Sequence, residues 1–196
     1  MDGPPATVAS DVRMVLRRLP IFFSVFIAQV VLDQWTKQLA TAHLKDTPTR
    51  SWLGDVFRLQ YATNEGAFLS LGASLPPQAR YWMLTIGVGI LLLSLTVYAL
   101  FSEVFWKTKL DGLQVAAYSL IASGGFSNWV DRARFEGSVV DFMNMGIGSL
   151  RTGVFNVADL AILAGIGVIF FHGWREEKRL KAEKALKAQQ DPALQK

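Results

Sequence analysis

The chain contains no cysteine. That absence excludes disulfides, a thiol nucleophile, thiolate metal sites and covalent haem attachment together. Histidine is scarce, with two residues, His43 and His172. In the topology read below they fall at opposite membrane faces and cannot share a site, so Ser–His–Asp catalysis lacks support. No acid cluster at metal spacing is present, which speaks against a carboxylate metal site. No internal repeat is evident. Charged residues make up only 18% of the 196, while 51% are hydrophobic and the mean hydropathy is +0.27. Such a chain is too apolar for an ordinary soluble domain and too short for more than one compact unit. The net charge is +4. The basic residues flank apolar runs instead of forming a stripe with aromatics, which favours a membrane over a nucleic-acid partner.

Apolar runs long enough for a bilayer core, roughly 20 residues each, predict a single membrane domain over 1–196. The expected spans are approximately 19–43, 81–102, 112–130 and 153–174, with outer loops 44–80 and 131–152 and a basic tail 175–196. Arg17 and Arg18 before the first span and "ATA" at Ala40–Ala42 resemble a signal peptide and its cleavage site. Asp33 and Lys37 lie between them, which suits processing poorly, and an uncleaved span is expected. The excess of Lys and Arg before span one, between spans two and three and after span four places both termini in the cytoplasm. Alternation of Phe57, Leu59 and Tyr61 with polar or small residues predicts a strand, and "EGSVVDFMNM" reads as extended. Together they predict a small outer sheet with its apolar face towards lipid or substrate. The tail "REEKRLKAEKALKAQQ" reads as a charged helix with i,i+4 pairs.

On this topology the polar residues converge on one membrane face. Asp33 and Lys37 share a helix face near the outer end of span one. Asn128, Asp131 and Arg132 lie near the outer end of span three, and Asn156 and Asp159 open span four. Asn64 and Asp141 come from the outer loops. Charges at membrane depth face a bundle interior with partners. Inter-helix locks are one reading, and the better one for Asp33 with Lys37. Gly124 and Gly125 read as a close helix contact. Asp141 and Asp159 have no evident basic partner, since Arg132 adjoins Asp131. A close carboxylate pair holds one proton near neutral pH, so one member can activate water while the other polarises a carbonyl. Spacing alone makes that pair a candidate for aspartic-protease chemistry.

Five stretches carry a resemblance: "DQWTK" (Asp33–Lys37), "NEGAFLS" (Asn64–Ser70), "SGGFSNWVDR" (Ser123–Arg132), "GSVVDF" (Gly137–Phe142) and "FNVADLAI" (Phe155–Ile162). In this order, over about Leu19–Trp174, the chain resembles the lipoprotein signal peptidases, the bacterial type II signal peptidases. The resemblance implies a mostly α membrane protein, a four-transmembrane-helix bundle with a small periplasmic β-like cradle and a short periplasmic helix. It implies cleavage of diacylglyceryl-modified prolipoproteins just before the lipidated Cys, in the bacterial inner membrane near its periplasmic face. Asp141 and Asp159 become the catalytic dyad. Asn64, Gly66, Asn128, Arg132 and Asn156 shape the site or bind substrate, while Asp33, Lys37 and Asp131 are structural support. No metal or other cofactor is implied, and no nucleic acid; globomycin-type inhibitors and membrane lipids are the other expected partners of a monomer. Phe68, Leu69, Ser123, Phe126 and Ser127 depart from the family's usual motif residues, the link from Arg132 to Asp141 is a residue longer, and the tail is extended. These differences bear on substrate preference and loop shape.

Three other classes share some features, one of them a scaffold without chemistry, in which Asp141→Asn would leave function intact. A small four-span transporter with an acidic proton relay predicts acids at mid-membrane or on both faces and often an inverted repeat. A metal-dependent lipid-phosphate enzyme predicts sensitivity to chelation.

Overall fold

The computed structural model describes residues 6–66 and 74–190. Phe68 and Leu69, the "NEGAFLS" motif beyond Gly66, and Lys196 lie outside the described residues. The elements in order are α1 (Ala6–Leu44), β1 (Arg50–Trp52), β2 (Phe57–Asn64), α2 (Pro77–Arg80), a π-helical stretch (Tyr81–Gly87), α3 (Val88–Trp106), α4 (Gly112–Arg134), β3 (Val139–Ile147), β4 (Leu150–Arg151) and α5 (Val157–Gln190). The fold is mostly helical with a small sheet.

Three helical stretches are long and apolar enough to cross a membrane: Ser10–Leu44, Gln78–Trp106 and Val157–Leu186. The remaining expected span corresponds to α4, which has 23 residues and is therefore about 34 Å long, but it is polar. The reason lies in its position, packed against α1, α3 and α5. Its row Ser119, Ser123 and Ser127 is buried inside the bundle. Ser119 Oγ donates to the Phe22 carbonyl at 2.6 Å, and Ser127 Oγ donates to Asp33 at 2.7 Å. Polar groups paired in this way do not need water. Most exposed apolar helix side chains sit on the other helices, including Ile27 and Val31 on α1, Ile90 and Leu93 on α3, and Ile166 and Phe170 on α5, whereas α4 exposes Leu113 at its start.

Gly124 holds α4 against the first turn of α5. A Cβ there would lie 2.5 Å from the Ala158 carbonyl oxygen and 2.8 Å from Ile162 Cγ1. On α5 a Cβ at Gly165 would likewise lie 2.6 Å from the Ala117 carbonyl oxygen. Small residues let helix backbones meet this closely. Gly124→Ala therefore forces α4 from α5 beside Asp159. We expect a loss of about 1–3 kcal/mol, read as a lower melting temperature in detergent, with turnover reduced as well.

The four strands form one antiparallel sheet in the order β1-β2-β3-β4. Leu59 and Tyr61 of β2 pack with Ala40, Leu44 and Phe142. Part of the sheet's apolar surface is thus turned to the end of α1, while Trp52, Met145, Ile147 and Leu150 stay exposed. The β2–β3 register jumps from Leu59↔Met143 to Ala62↔Asp141, a bulge next to Asp141. As for the expected short outer helix, the short helix among the described residues is α2, which runs directly into the π-helical stretch. The tail continues α5 as one helix, with pairs such as Lys181–Glu177 at 2.6 Å.

Candidate active site

Asp159 is placed by the way α5 begins. Asn156 precedes the helix, and its side-chain oxygen accepts the Asp159 backbone N–H at 3.0 Å. The Asp159 carboxylate accepts the Asn156 backbone N–H at 3.1 Å. This reciprocal capping satisfies amides that the helix start would leave unpaired. It fixes the carboxylate at the positive end of the helix, which favours negative charge. The other Asp159 oxygen accepts from Asn128 Nδ2 of α4 at 3.1 Å.

Asp141 reaches the same place from the sheet. Glu136 (φ 51°) and Gly137 (φ +94°) take left-handed conformations that turn the chain from α4 into β3. The Phe155 carbonyl accepts from the Phe142 and Met143 N–H groups at 3.1 and 2.8 Å, drawing the approach to α5 alongside β3. Asn156 Nδ2 then donates to one Asp141 oxygen at 2.7 Å, and Asn64 Nδ2 on β2 to the other at 3.1 Å. Asn156 thus touches both carboxylates, and each of their four oxygens receives one neutral N–H. Among the described residues neither acid is in an ion pair. Burial pushes the Asp141 carboxyl up to about 7, and the charge of Asp159 adds to the rise. Asn64, Asn156 and Lys37 oppose it.

Lys37 is more than an i,i+4 partner. Its ammonium lies 2.8 Å from Asp33 and 2.8 Å from Asp131, and donates to Asn128 Oδ1 at 2.8 Å. Asp33 also accepts the Ala158 N–H of α5 at 2.7 Å. Asp131 accepts the Val140 N–H of β3 at 3.2 Å. The two acids of this lock therefore hold the backbone next to Asp159 and next to Asp141, and all three charged groups are at least 97% buried.

Arg132 does not pair with its neighbour Asp131, as chain proximity suggested, because Lys37 already occupies that carboxylate. Its Nη2 donates to the Gly66 carbonyl at 2.8 Å and its Nη1 to the Asn128 carbonyl at 3.4 Å. Its Nε–H is buried with no partner among the described residues. Gly66 is held in turn by Asn64, whose side-chain oxygen accepts the Gly66 N–H at 2.9 Å. All ten residues singled out in the sequence meet in this connected set. Sequence reasoning passed over Gln34, which donates to Asp131 at 2.8 Å and to Ser127 Oγ at 3.0 Å. Ser127 was noted only as a motif departure; its serine row at i, i+4, i+8 was the available signal. His172 lies 2.9 Å from Asp111 at the start of α4, far along the bundle from this cluster. Among the described residues no three His, Asp or Glu side chains gather as metal ligands.

The signal peptidase (SPase) II family matches residues 25–175. A lipoprotein signal peptidase of Halalkalibacterium halodurans is 32% identical over 164 residues, spanning 84% of this chain and 98% of that protein. Another from Halothermothrix orenii is 30% identical over 156 residues, spanning 80% and 97%. In fold, the chain is similar to two bacterial membrane enzymes solved by the in meso method at 2.3 and 1.9 Å resolution, with TM-scores of 0.67 and 0.62 at 21% identity. The match covers 81% and 77% of this chain and 90% of each of those. The sequence motifs, the helical membrane fold and these matches agree: the chain belongs to the signal peptidase II family.

Proposed function

We propose that the chain is an aspartic endopeptidase that removes the signal peptide from diacylglyceryl-modified prolipoproteins just before the lipidated Cys, with Asp141 and Asp159 as its catalytic pair. The observation that carries this reading is the Asn156 bridge between two buried carboxylates without an ion-pair partner among the described residues. Four carboxylates, Asp33, Asp131, Asp141 and Asp159, are buried at this level against two cations, Lys37 and Arg132. The excess of negative charge favours one shared proton on the dyad. The helix start and Asn156 cap favour charge on Asp159, leaving the proton to Asp141. The ionised member takes a proton from water as the water oxygen attacks the scissile carbonyl. The protonated member gives its proton to the carbonyl oxygen. Collapse of the tetrahedral intermediate breaks the C–N bond, and a proton passes to the leaving amine. The Nε–H of Arg132, without a partner among the described residues, suits a substrate carbonyl.

In this reading α4 is a fourth span, made viable by pairing its polar row inside the bundle. The chain is one membrane domain with cytoplasmic termini, and the dyad sits at the periplasmic face within reach of water. The acyl chains of the substrate stay in lipid. It acts as a monomer, and globomycin-type compounds occupy the same site.

The test is cleavage of a diacylglyceryl prolipoprotein and of its unlipidated form, each with and without EDTA. Rapid, EDTA-insensitive cleavage of the lipidated form alone is expected. Loss with EDTA would favour the metal enzyme, and equal cleavage of both forms would remove the role of the lipid anchor. The pH dependence follows from the shared proton. Since the Asp141 carboxyl stands at about 7, kcat should fall about tenfold per unit once pH rises past that value and the dyad loses its proton. A kcat profile flat from pH 6 to 9 would contradict this assignment.

A further inference from the structure

Seven residues of the second apolar stretch, Tyr81–Gly87, are wound as π-helix. Such windings are rare and concentrate at functional sites. The Thr85 carbonyl in this stretch accepts a hydrogen bond from Trp129 Nε1 of α4 at 2.9 Å. Trp129 lies three residues before Arg132, on the same side of α4. Arg132 donates to the Gly66 carbonyl. The neighbouring Glu65 pairs with Arg80, which leads into the π-helical stretch. These contacts close a ring from Thr85 through Trp129, Arg132, Gly66, Glu65 and Arg80 back to the π winding. Inside it lies a cleft of about 430 Å³ whose apolar lining includes Tyr81, Leu84 and Ile86.

The indole ring has a second attachment that does not depend on its N–H. It stacks on Phe126 with centroids 6.0 Å apart, and Phe126 meets Phe26 of α1 at 5.4 Å. Ring packing therefore keeps Trp129 in the bundle, while the N–H sets where the last turns of α4 stand against the π winding. Arg132 is the residue that this setting aims. Its Nε–H is buried without a partner among the described residues, and the charges of Asp141 and Asp159 both act on its guanidinium.

We infer that Trp129 is a positioning residue for the protease reaction: its N–H bond to the Thr85 carbonyl fixes the direction of Arg132, and thereby how tightly substrate is held at the dyad. The inference rests on the proposed dyad function. The experiment replaces Trp129 with β-(3-benzothienyl)alanine, in which sulfur stands for the N–H and the ring is kept, and separately with Phe. Steady-state cleavage of a diacylglyceryl prolipoprotein is measured with wild type and Asp141→Asn alongside. Loss of one net hydrogen bond should raise KM about fivefold in both variants with kcat within about twofold. An unchanged KM in either variant, at any melting temperature, would overturn the positioning role, as would a loss confined to kcat. Failure of the dyad reading registers separately, as cleavage by Asp141→Asn at the wild-type rate.

Discussion

Replacing Lys37 with Met should destabilise the protein by about 3–5 kcal/mol, the range found when one partner of a buried ion pair is removed. For a chain of this size that is a fall in melting temperature of about 6–20 degrees. Methionine fills the space of the lysine stem, so a cavity is not the cause. The cause is that Asp33 and Asp131, both buried, lose the ammonium 2.8 Å from each. The damage reaches the site because these acids also hold the Ala158 and Val140 amides beside the two candidate catalytic residues. A second change should confirm the mechanism: Asp131→Asn added to Lys37→Met removes one stranded charge and should restore part of the stability. Thermal unfolding in detergent reads both. A Lys37→Met protein that melts within a degree of wild type would show that the lock contributes little.

Asp141→Asn and Asp159→Asn should each lower turnover by at least about a thousandfold, within the range attributed to positioned acid–base groups, while the protein still folds. Each substitution keeps the side-chain shape. Each also costs a hydrogen bond, since an amide has one acceptor oxygen where the carboxylate offers two, and both oxygens are in use. That loss is about 1 kcal/mol. In Asp159→Asn the removal of a buried charge from a cluster with surplus negative charge offsets it, whereas Asp141, which holds the shared proton, loses no charge; in both the melting temperature should move by only a few degrees. A large fall in melting temperature would instead place these residues with Lys37, as part of the lock. The contrast separates two kinds of buried charge in one cluster: Lys37 variants fail to hold together, and dyad variants hold together but do not cut.

The helices, the strand at Phe57–Asn64 and the clustering of polar groups at one end were legible because each follows from local periodicity. The Asp33–Lys37 pairing was legible for the same reason, being one helical turn. What that turn does not reveal is that Lys37 also reaches Asp131, 94 residues away. The same holds for Arg132, whose sequence neighbour Asp131 proved to be engaged elsewhere while its own partner is the Gly66 carbonyl. Such pairings depend on which helices meet, and hydrophobic period carries no information about that. The π winding and the bulge beside Asp141 were invisible too, since neither Gly nor Pro marks the bulged residues. In α4 composition hid the packing. Its sequence read as a span by its lack of charge, yet its polar row made it less apolar than the other three, because it is the helix that the others surround. Asn156 and Asp159 carried a readable signal, an Asn three residues before an acid at the head of an apolar run. That pattern fixes the helix start, and the resemblance to the signal peptidases supplied the role.

The central claim is that Asp141 and Asp159 together carry out the cleavage. The most direct measurement is single-turnover cleavage of a diacylglyceryl prolipoprotein, followed by gel shift in one detergent, with wild type, Asp141→Asn and Asp159→Asn matched for thermal stability. The account predicts that wild type cuts and that both variants remain folded and fail to cut. A folded variant of either kind cutting at the wild-type rate would contradict it.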